Sequence, residues 1–439
     1  MDPLLIGVIG VIALLVLLYF GMQIGIAMSI VGFVGYIACV NLPAALGVFK
    51  TVPFNTSSSY SLSVIPLFVL MGQFAFYSKI SSDLYNVCYK WLGRLRGGLG
   101  VSTVVASGLF GAICGSATAT TATMGVVALP EMQKYGYKDS LSCGAIAAGG
   151  TLGILIPPSV AFILYGTVSE QSIGAMFASG VIPGIILVIL FAIAILVVTK
   201  IDPEAGPKGE QFTLREKLQS LKGAGPFIIL FIVILGGIFG GFFTASEGGA
   251  IGAFVSFIFM ALRRKATWAN IKASLGDTIN TTAMIFIIMI GAYIFGAFLT
   301  VSRMPAELAK WTLSLDVPSG FIIIAIILVF GVMGCFIDAL PLIVLLVPIF
   351  LPIVTELGMS PIWFGVIIVL VTQLGLITPP VGMCCYVMAG VAKDVPLFTI
   401  FRGILPFIFA MVTLFIILMI FPNLTTYLPH IFYGAEMAV

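Results

Sequence analysis

Charged residues are scarce along this chain, and their scarcity excludes most soluble folds. Only 8% of its 439 residues are charged, whereas 60% are apolar, and the mean hydropathy is +1.21. Soluble domains usually carry about 25% charged residues. A spanning helix needs about 20 mostly apolar residues, and the chain has room for roughly a dozen such segments. We therefore predict an all-α polytopic membrane protein with no sizeable soluble domain.

Histidine and paired cysteines are also lacking. His430 is the only histidine, and the seven cysteines include no CxxC pair, so neither a zinc site nor a disulfide framework is expected. HExxH, GxSxG and the paired aspartates of prenyl diphosphate enzymes are absent from the sequence. An intramembrane enzyme is therefore the weaker alternative, and no enzymatic activity is expected.

The apolar segments predict where the chain crosses the membrane. Spans are predicted at 4–20, 22–40, 62–80, 140–166, 180–199, 226–243, 246–262, 278–300, 360–388 and 404–422. The first segment has no basic region or cleavage site of a secretory signal, so we expect it to be retained. Two mixed stretches, 81–98 and 302–316, predict amphipathic helices at opposite membrane faces.

Basic residues are nearly missing from one side of the predicted membrane. When 98–133 and 318–355 are treated as re-entrant hairpins, only Lys50, Arg303 and Lys310 of the 20 basic residues fall on that side. The side rich in lysine and arginine is predicted to be cytoplasmic, so both termini are expected outside. The count does not separate a hairpin from two full spans, because either returns the chain to the same side.

The sequence repeats its landmarks after 222 positions, on either side of a polar linker at 200–222. The recurring pairs are Leu129-Pro130 and Leu351-Pro352, Gly153 and Gly375, and Pro157-Pro158 and Pro379-Pro380. The first copy would enter the membrane from outside and the second from the cytoplasm. Inverted repeats with interrupted helices at matching positions are typical of secondary transporters, whose sites lie near the bilayer midplane.

This repeat divides the chain into five predicted regions. They are N-terminal scaffold helices at 1–61, a first repeat at 62–199 with a hairpin at 98–133 and a broken helix at 140–166, a linker with scaffold helices at 200–277, a second repeat at 278–422 with a hairpin at 318–355 and a broken helix at 360–388, and a C-terminal tail at 423–439.

Double prolines interrupt both broken helices, in GILIPPS (153–159) and GLITPPV (375–381). Proline has no amide donor, so each pair frees backbone carbonyls. In lipid those carbonyls need protein, water or an ion as partner. The duplicated break therefore predicts an ion or substrate site, with a simple kink satisfied by neighbouring helices as the alternative.

The hairpins carry unusual residues for membrane segments. GAICGSATATTATMG (111–125) is rich in small and hydroxylated residues, and GCFIDALPLIV (334–344) contains Asp338, which aligns with Ser116. A charge at the bilayer centre costs about 2.5 kcal/mol or more, so Asp338 is the first functional candidate; a helix N-cap is compatible with the same position. Neither the hairpins nor the broken helices contain lysine or arginine. An anionic substrate would therefore depend on helix N-termini, hydroxyls and bound cations.

These residues resemble the large membrane subunit of TRAP transporters, the tripartite ATP-independent periplasmic carriers of the ion-transporter superfamily. The resemblance covers essentially the whole chain and rests on GAICGSATATTATMGVVALPEMQKYGYKDSLSCGAIAAGGTLGILIPPS, GFFTASEGGAIGAF, DALPLIVLLVPIFLPIVTELG and GLITPPVG. The first tip, SATAT, and the residues DALP at the second tip differ from the residues that are more common in the family. Either difference could change the shape of the substrate that the site accepts.

The resemblance implies a sodium-driven elevator in a bacterial inner membrane. Both hairpins and both broken helices would slide against a scaffold and carry an organic acid anion, such as a C4-dicarboxylate or sialic acid, with two or more sodium ions. Family members work with a small four-helix membrane subunit and a periplasmic substrate-binding protein. A single-chain sodium–carboxylate symporter or anion exporter of the same superfamily is the main alternative, and a channel is a further one.

The resemblance also implies positions for ions and substrate. One sodium site would use Ser116, Ala117 and Thr118 with backbone oxygens of Gly153, Ile156 and Pro158. The other would use Asp338 with Gly375 and Thr378. Substrate would lie between the tips, near Ser116, Thr118, Thr120, Ser159 and Asp338.

Overall fold

A computed structural model of the chain describes residues 2–314 and 317–434. Within these residues the secondary structure is helical, with no strand beyond an isolated bridge between Arg96 and Lys208. Seven helices there are long and apolar enough to cross a membrane, or eight when a bent helix pair counts as one span. The prediction of an all-α polytopic membrane protein is confirmed.

The helices fall into two series. The first contains α1 (Pro3–Tyr19), α2 (Ile24–Cys39), α3 (Leu42–Ser57), α4 (Val64–Tyr77), α5 (Ile80–Leu92), α6 (Gly98–Cys114), α7 (Ala117–Lys134), α8 (Asp139–Leu155), α9 (Val160–Val168) and α10 (Ile173–Ile201). The second contains α11 (Leu214–Phe231), α12 (Gly237–Phe239), α13 (Ala245–Leu262), α14 (Trp268–Val301), α15 (Met304–Ser314), α16 (Ser319–Gly334), α17 (Ala339–Glu356), α18 (Pro361–Ile377), α19 (Met383–Val391), α20 (Leu397–Ile420) and α21 (Asn423–Tyr433).

The same order of elements occurs twice. A candidate spanning helix, a short amphipathic helix, a hairpin, a broken helix and a second candidate spanning helix follow one another in α4–α10 and again in α14–α20. The amphipathic helices α5 and α15 lie where the sequence predicts them. The hairpins are α6–α7 and α16–α17, and the broken helices are α8–α9 and α18–α19.

Two helices lie where the sequence predicts none. α3 fills residues 42–57, and Asn41 caps it by accepting a 2.8 Å hydrogen bond from the Ala44 amide. Lys50 and Asn55 interrupt its apolar pattern, which is why hydropathy does not detect it. α21 occupies 423–433, within the predicted C-terminal tail. It packs against α10, where a Cβ on Gly174 would meet the Tyr433 ring at 2.8 Å.

Contacts between distant segments agree with the predicted grouping of loops on two sides. Gly7 in α1 packs against Ser302, so the start of the chain lies beside the end of α14. At the other side, Arg263 Nη1 lies 2.6 Å from Asp83 Oδ2. Which of these sides faces the cytoplasm stays a prediction.

Each hairpin reaches only as far as the break in its neighbouring spanning helix. α6 runs parallel to α8, with Ser107 beside Gly149 and Gly111 beside Gly153, where a Cβ would come within 2.6 Å of the Gly111 Cα. Only glycine permits this approach. Because α9 continues beyond the level of the α6–α7 tip, the first hairpin ends partway along a span. This arrangement favours a re-entrant hairpin over two full spans.

The polar linker is attached to the base of the first hairpin. The Gly97 amide donates to the Gly206 carbonyl at 2.9 Å, and the Lys138 amide donates to the Ala205 carbonyl at 3.1 Å. Lys138 Nζ also lies 2.5 Å from Asp202 Oδ2. This hydrogen-bonded pair lowers the pKa of Asp202 and raises that of Lys138. The linker therefore covers the open end of the α6–α7 hairpin.

Candidate functional site

The first break separates α8 from α9 and bends the helix axis by 41°. In a continuous helix, the Gly153 and Ile154 carbonyls would accept bonds from the amides of residues 157 and 158. Both of those residues are prolines and supply no donor. The Ser159 hydroxyl donates to the Ile154 carbonyl and so replaces one of the two missing bonds.

The second break separates α18 from α19 and is one residue longer, running from 378 to 382. The Thr378 amide donates to the Gly375 carbonyl at 3.2 Å. Its hydroxyl donates to the Leu374 carbonyl at 2.6 Å. Gly382 then adopts φ +58°, a conformation that side chains disfavour, before α19 begins. In both breaks a hydroxyl side chain repairs part of the interrupted hydrogen-bond ladder.

Ser116 forms the tip of the first hairpin. Gly115, at φ +67°, ends α6, and Ser116 then begins α7 as its N-cap. The Ser116 Oγ accepts a 3.3 Å hydrogen bond from the Ala119 amide and lies 3.2 Å from the Thr118 Oγ1. The tip therefore presents two hydroxyl oxygens beside the positive end of a helix.

Asp338 occupies the same place in the second hairpin. It is the N-cap of α17, and its Oδ1 accepts a 2.7 Å hydrogen bond from the Ala339 amide. The capping role considered from the sequence is therefore present. A carboxylate offers about four acceptor positions, so one capping bond leaves it able to bind a further partner.

The two tips meet at one cavity of about 310 Å³, which we call the tip cavity. It is lined by Cys114, Gly115, Ser116, Ala117, Thr118 and Ala119 at the first tip, Ile154 and Val160 at the first break, Asp338 and Leu340 at the second tip, Val69 and Gln73 from α4, and Thr281, Met284 and Ile285 from α14. No lysine or arginine is among these described lining residues. Its polar surface comes from hydroxyls, one amide, one carboxylate and two helix N-termini.

The predicted site residues divide into those at the tip cavity and those outside it. Ser116, Ala117, Thr118 and Asp338 line the cavity. Thr120 and Ser159 are fully buried behind its wall. The Thr120 hydroxyl has no hydrogen-bond partner among the described residues, whereas the Ser159 hydroxyl binds the Ile154 carbonyl.

The remaining predicted ion ligands also lie outside the cavity. The Ile156 side chain packs near Gly108 and Gly184, and Gly153 packs against Gly111. Pro158 is buried at the first break. Gly375 and Thr378 line a separate, apolar cavity of about 370 Å³ beside α16 and α20. The roles assigned to these five residues stay predictions.

Sequence reasoning missed the residues contributed by α4 and α14. Gln73 reaches the tip cavity from α4, next to Gly72, where a Cβ would lie 3.1 Å from the Cys114 carbonyl oxygen. Thr281 reaches it from α14. A signal was present, because Gln73 is the only amide side chain in an otherwise apolar α4 and polar residues within membrane helices are often functional.

Two hairpins whose tips meet beside two broken helices define a polytopic membrane fold of the kind found in secondary transporters. The same fold occurs in the crystal structure of the YdaH transporter from Alcanivorax borkumensis, with a TM-score of 0.66 at 15% identity over 91% of each chain. That likeness establishes the fold alone.

The family assignment comes from sequence. The family described as "Tripartite ATP-independent periplasmic transporter, DctM component" matches residues 11–424. The chain is 34% identical to the C4-dicarboxylate TRAP transporter large permease protein of Pseudomonas aeruginosa, over 86% of this chain and 88% of that protein. It is 32% identical to the sialic acid TRAP transporter large permease protein of Vibrio cholerae, with the same coverage. The chain belongs to the TRAP transporter large permease family, and the predicted resemblance is confirmed.

Proposed function

We propose that the chain imports an organic acid anion across the bacterial inner membrane together with two or more sodium ions. The observation that carries this proposal is the tip cavity, which combines helix N-termini, hydroxyls and Asp338 without any cationic side chain. The relatives from P. aeruginosa and V. cholerae are named for C4-dicarboxylate and sialic acid, which are both carboxylates. A carboxylate is therefore the proposed substrate.

Electrostatics supports coupling to a cation. Two like charges about 4 Å apart repel by about 4 kcal/mol at an effective dielectric constant of about 20. A carboxylate next to Asp338 would meet this repulsion unless a cation is present. Sodium suits the hydroxyls of Ser116 and Thr118, the Asp338 carboxylate and the carbonyls freed at the breaks. Each ion moving down a potential of about 100 mV would contribute about 2.3 kcal/mol.

The packing supports an elevator-type movement in which both repeats move together. α9 packs against α17 and α19 packs against α7, so each repeat is held by the other. At one such contact, Gly125 lies beside Val391 and Met388. The frame has packing contacts of its own, because α2 packs on α14 and α4 packs on α13. We propose that the hairpins and broken helices slide as one body along this frame.

Two partners complete the proposal. Members of this family are expected to work with a small four-helix membrane subunit and a periplasmic substrate-binding protein. The decisive experiment is uptake of labelled succinate and sialic acid by vesicles containing the chain and both partners, with and without a sodium gradient.

Saturable uptake that requires both the gradient and the binding protein would support the proposal. Uptake without the binding protein would indicate a single-chain symporter, and non-saturable flux would indicate a channel. Sodium-independent uptake would contradict the proposed coupling.

A further inference from the structure

A second cavity of about 650 Å³, which we call the vestibule, adjoins the tip cavity. The two cavities share three lining residues, Gln73, Cys114 and Ala119. They therefore adjoin at the first hairpin tip. The vestibule extends from there to Lys79, Lys265 and Asp277, on the side that the lysine and arginine distribution predicts to be cytoplasmic.

The charges of the vestibule all belong to the frame. Lys79 lies in the turn between α4 and α5, Lys265 follows α13, and Asp277 lies on α14. The wall formed by the first hairpin contributes uncharged residues such as Ala122 and Thr123. A substrate carried by the moving hairpin would therefore meet charged residues that stay with the frame.

Other residues hold the two turns that carry the lysines. Arg263 forms an ion pair with Asp83 and donates to the Ser78 carbonyl at 3.3 Å, next to Lys79. The Lys265 carbonyl accepts a 2.8 Å hydrogen bond from the side-chain amide of Asn270. Neither Lys79 nor Lys265 takes part in an ion pair within residues 2–314 and 317–434. The backbone of both turns is thus held, and both ammonium groups are without an acidic partner among the described residues.

Asp277, the carboxylate of the vestibule, already has a hydrogen-bond partner. Asp277 Oδ2 accepts a 3.0 Å hydrogen bond from the Tyr77 hydroxyl. The cavity on the opposite face, of about 890 Å³, has the reverse pattern, because its described lining includes Glu170 and Glu247 but no lysine or arginine. The side of the tip cavity that attracts anions is therefore the vestibule side.

We propose that Lys79 and Lys265 form a release subsite that binds the carboxylate of the substrate after it leaves the tip cavity. This inference rests on the proposed carboxylate transport. It assigns the two lysines to the exit step alone. Substrate that binds from the vestibule side should therefore depend on them strongly, whereas uptake of substrate delivered by the binding protein should depend on them less.

The test measures trans-inhibition in vesicles that contain the complete complex. Vesicles are preloaded with succinate, and the internal concentration that halves the initial uptake rate is determined for the unaltered chain and for Lys79→Gln, Lys265→Gln and the double variant. One unit charge at about 4 Å in water is expected to change this concentration about fivefold, so the double variant should raise it by tenfold or more. The external Km should change by less than about twofold. Asp277→Asn should shift the internal concentration in the opposite direction.

Lys272→Gln is the matched control, because Lys272 is an exposed lysine on α14 that does not line the vestibule. Equal effects of Lys272→Gln and Lys265→Gln would overturn the inference, as would an absence of trans-inhibition in the unaltered complex. The measurement is repeated in phosphatidylcholine vesicles with and without anionic lipid. An effect confined to anionic lipid would assign the lysines to lipid headgroups and also overturn it. Complete loss of uptake in the unaltered complex would instead refute carboxylate transport itself.

Discussion

The two hairpin tips share a backbone arrangement but differ in charge. Ser116 and Asp338 each begin the second helix of a hairpin, and both line the tip cavity. One contributes a neutral hydroxyl and the other a carboxylate. The breaks beside them differ less, because both contain two prolines and both use a hydroxyl to replace a lost hydrogen bond. The repeat therefore duplicates the backbone, whereas the side chains make the two tips unequal.

Loss of Asp338 is the largest expected effect. Asp338→Ala should abolish sodium-driven uptake in reconstituted vesicles while expression stays normal, because it removes the only charged side chain among the described residues that line the tip cavity. Asp338→Asn should also lose uptake although asparagine is a good N-cap. This pair of variants separates the effect of the carboxylate charge from the effect of helix capping. Full uptake by Asp338→Ala would remove this residue from the site.

Glycine packing should matter equally in the two repeats. Gly153→Ala would place a Cβ 2.6 Å from the Gly111 Cα, and Gly375→Ala would place one 2.8 Å from the Gly334 Cα. We expect each substitution to lower stability by about 1–3 kcal/mol through overpacking. Thermal unfolding in detergent measures this, with Gly276→Ala as control because a Cβ there meets no neighbour within 4 Å. A large difference between Gly153→Ala and Gly375→Ala would show that the two hairpin contacts are not equivalent.

Ser116→Ala should have a smaller effect than Asp338→Ala. It removes an N-cap, which costs about 1 kcal/mol, and one hydroxyl from the tip cavity. Uptake should persist with a lower apparent affinity for sodium, measured as a several-fold higher sodium concentration at half-maximal rate. If Ser116→Ala abolished uptake as completely as Asp338→Ala, the two tips would be functionally equal despite their charges.

The hydroxyls at the breaks should give the smallest effects. Ser159→Ala and Thr378→Val each remove one hydrogen bond to a carbonyl, so each should cost about 0.5–1.5 kcal/mol. Unfolding midpoints of the two variants, compared with Thr413→Val on the exposed side of α20, measure this. Similar losses would confirm that the breaks are equivalent, and a loss at only one of them would contradict it.

The sequence predicts the local features of the fold because each has a local chemical signal. The double prolines mark both breaks, and Ser116 and Asp338 mark the tips. α3 escapes detection because Lys50 shortens its apolar run. The tip cavity itself could not be completed from the sequence, because Gln73 and Thr281 reach it only through packing of distant helices.

The same limit applies to the ion ligands predicted at the second break, which stay predictions. Gly375 and Thr378 face an apolar cavity beside α16 and α20. Motif position alone does not fix the direction in which a residue at a helix break faces.

The reciprocal packing of α9 on α17 and of α19 on α7 has a consequence for how the chain is made. During synthesis the first half leaves the ribosome before α19 and α17, the helices on which α7 and α9 pack, have been made. Until the second half has been synthesised, α7 and α9 must be exposed to lipid or bound by a chaperone. A chain cut within the linker should therefore yield two fragments that are short-lived when produced alone and recover when produced together.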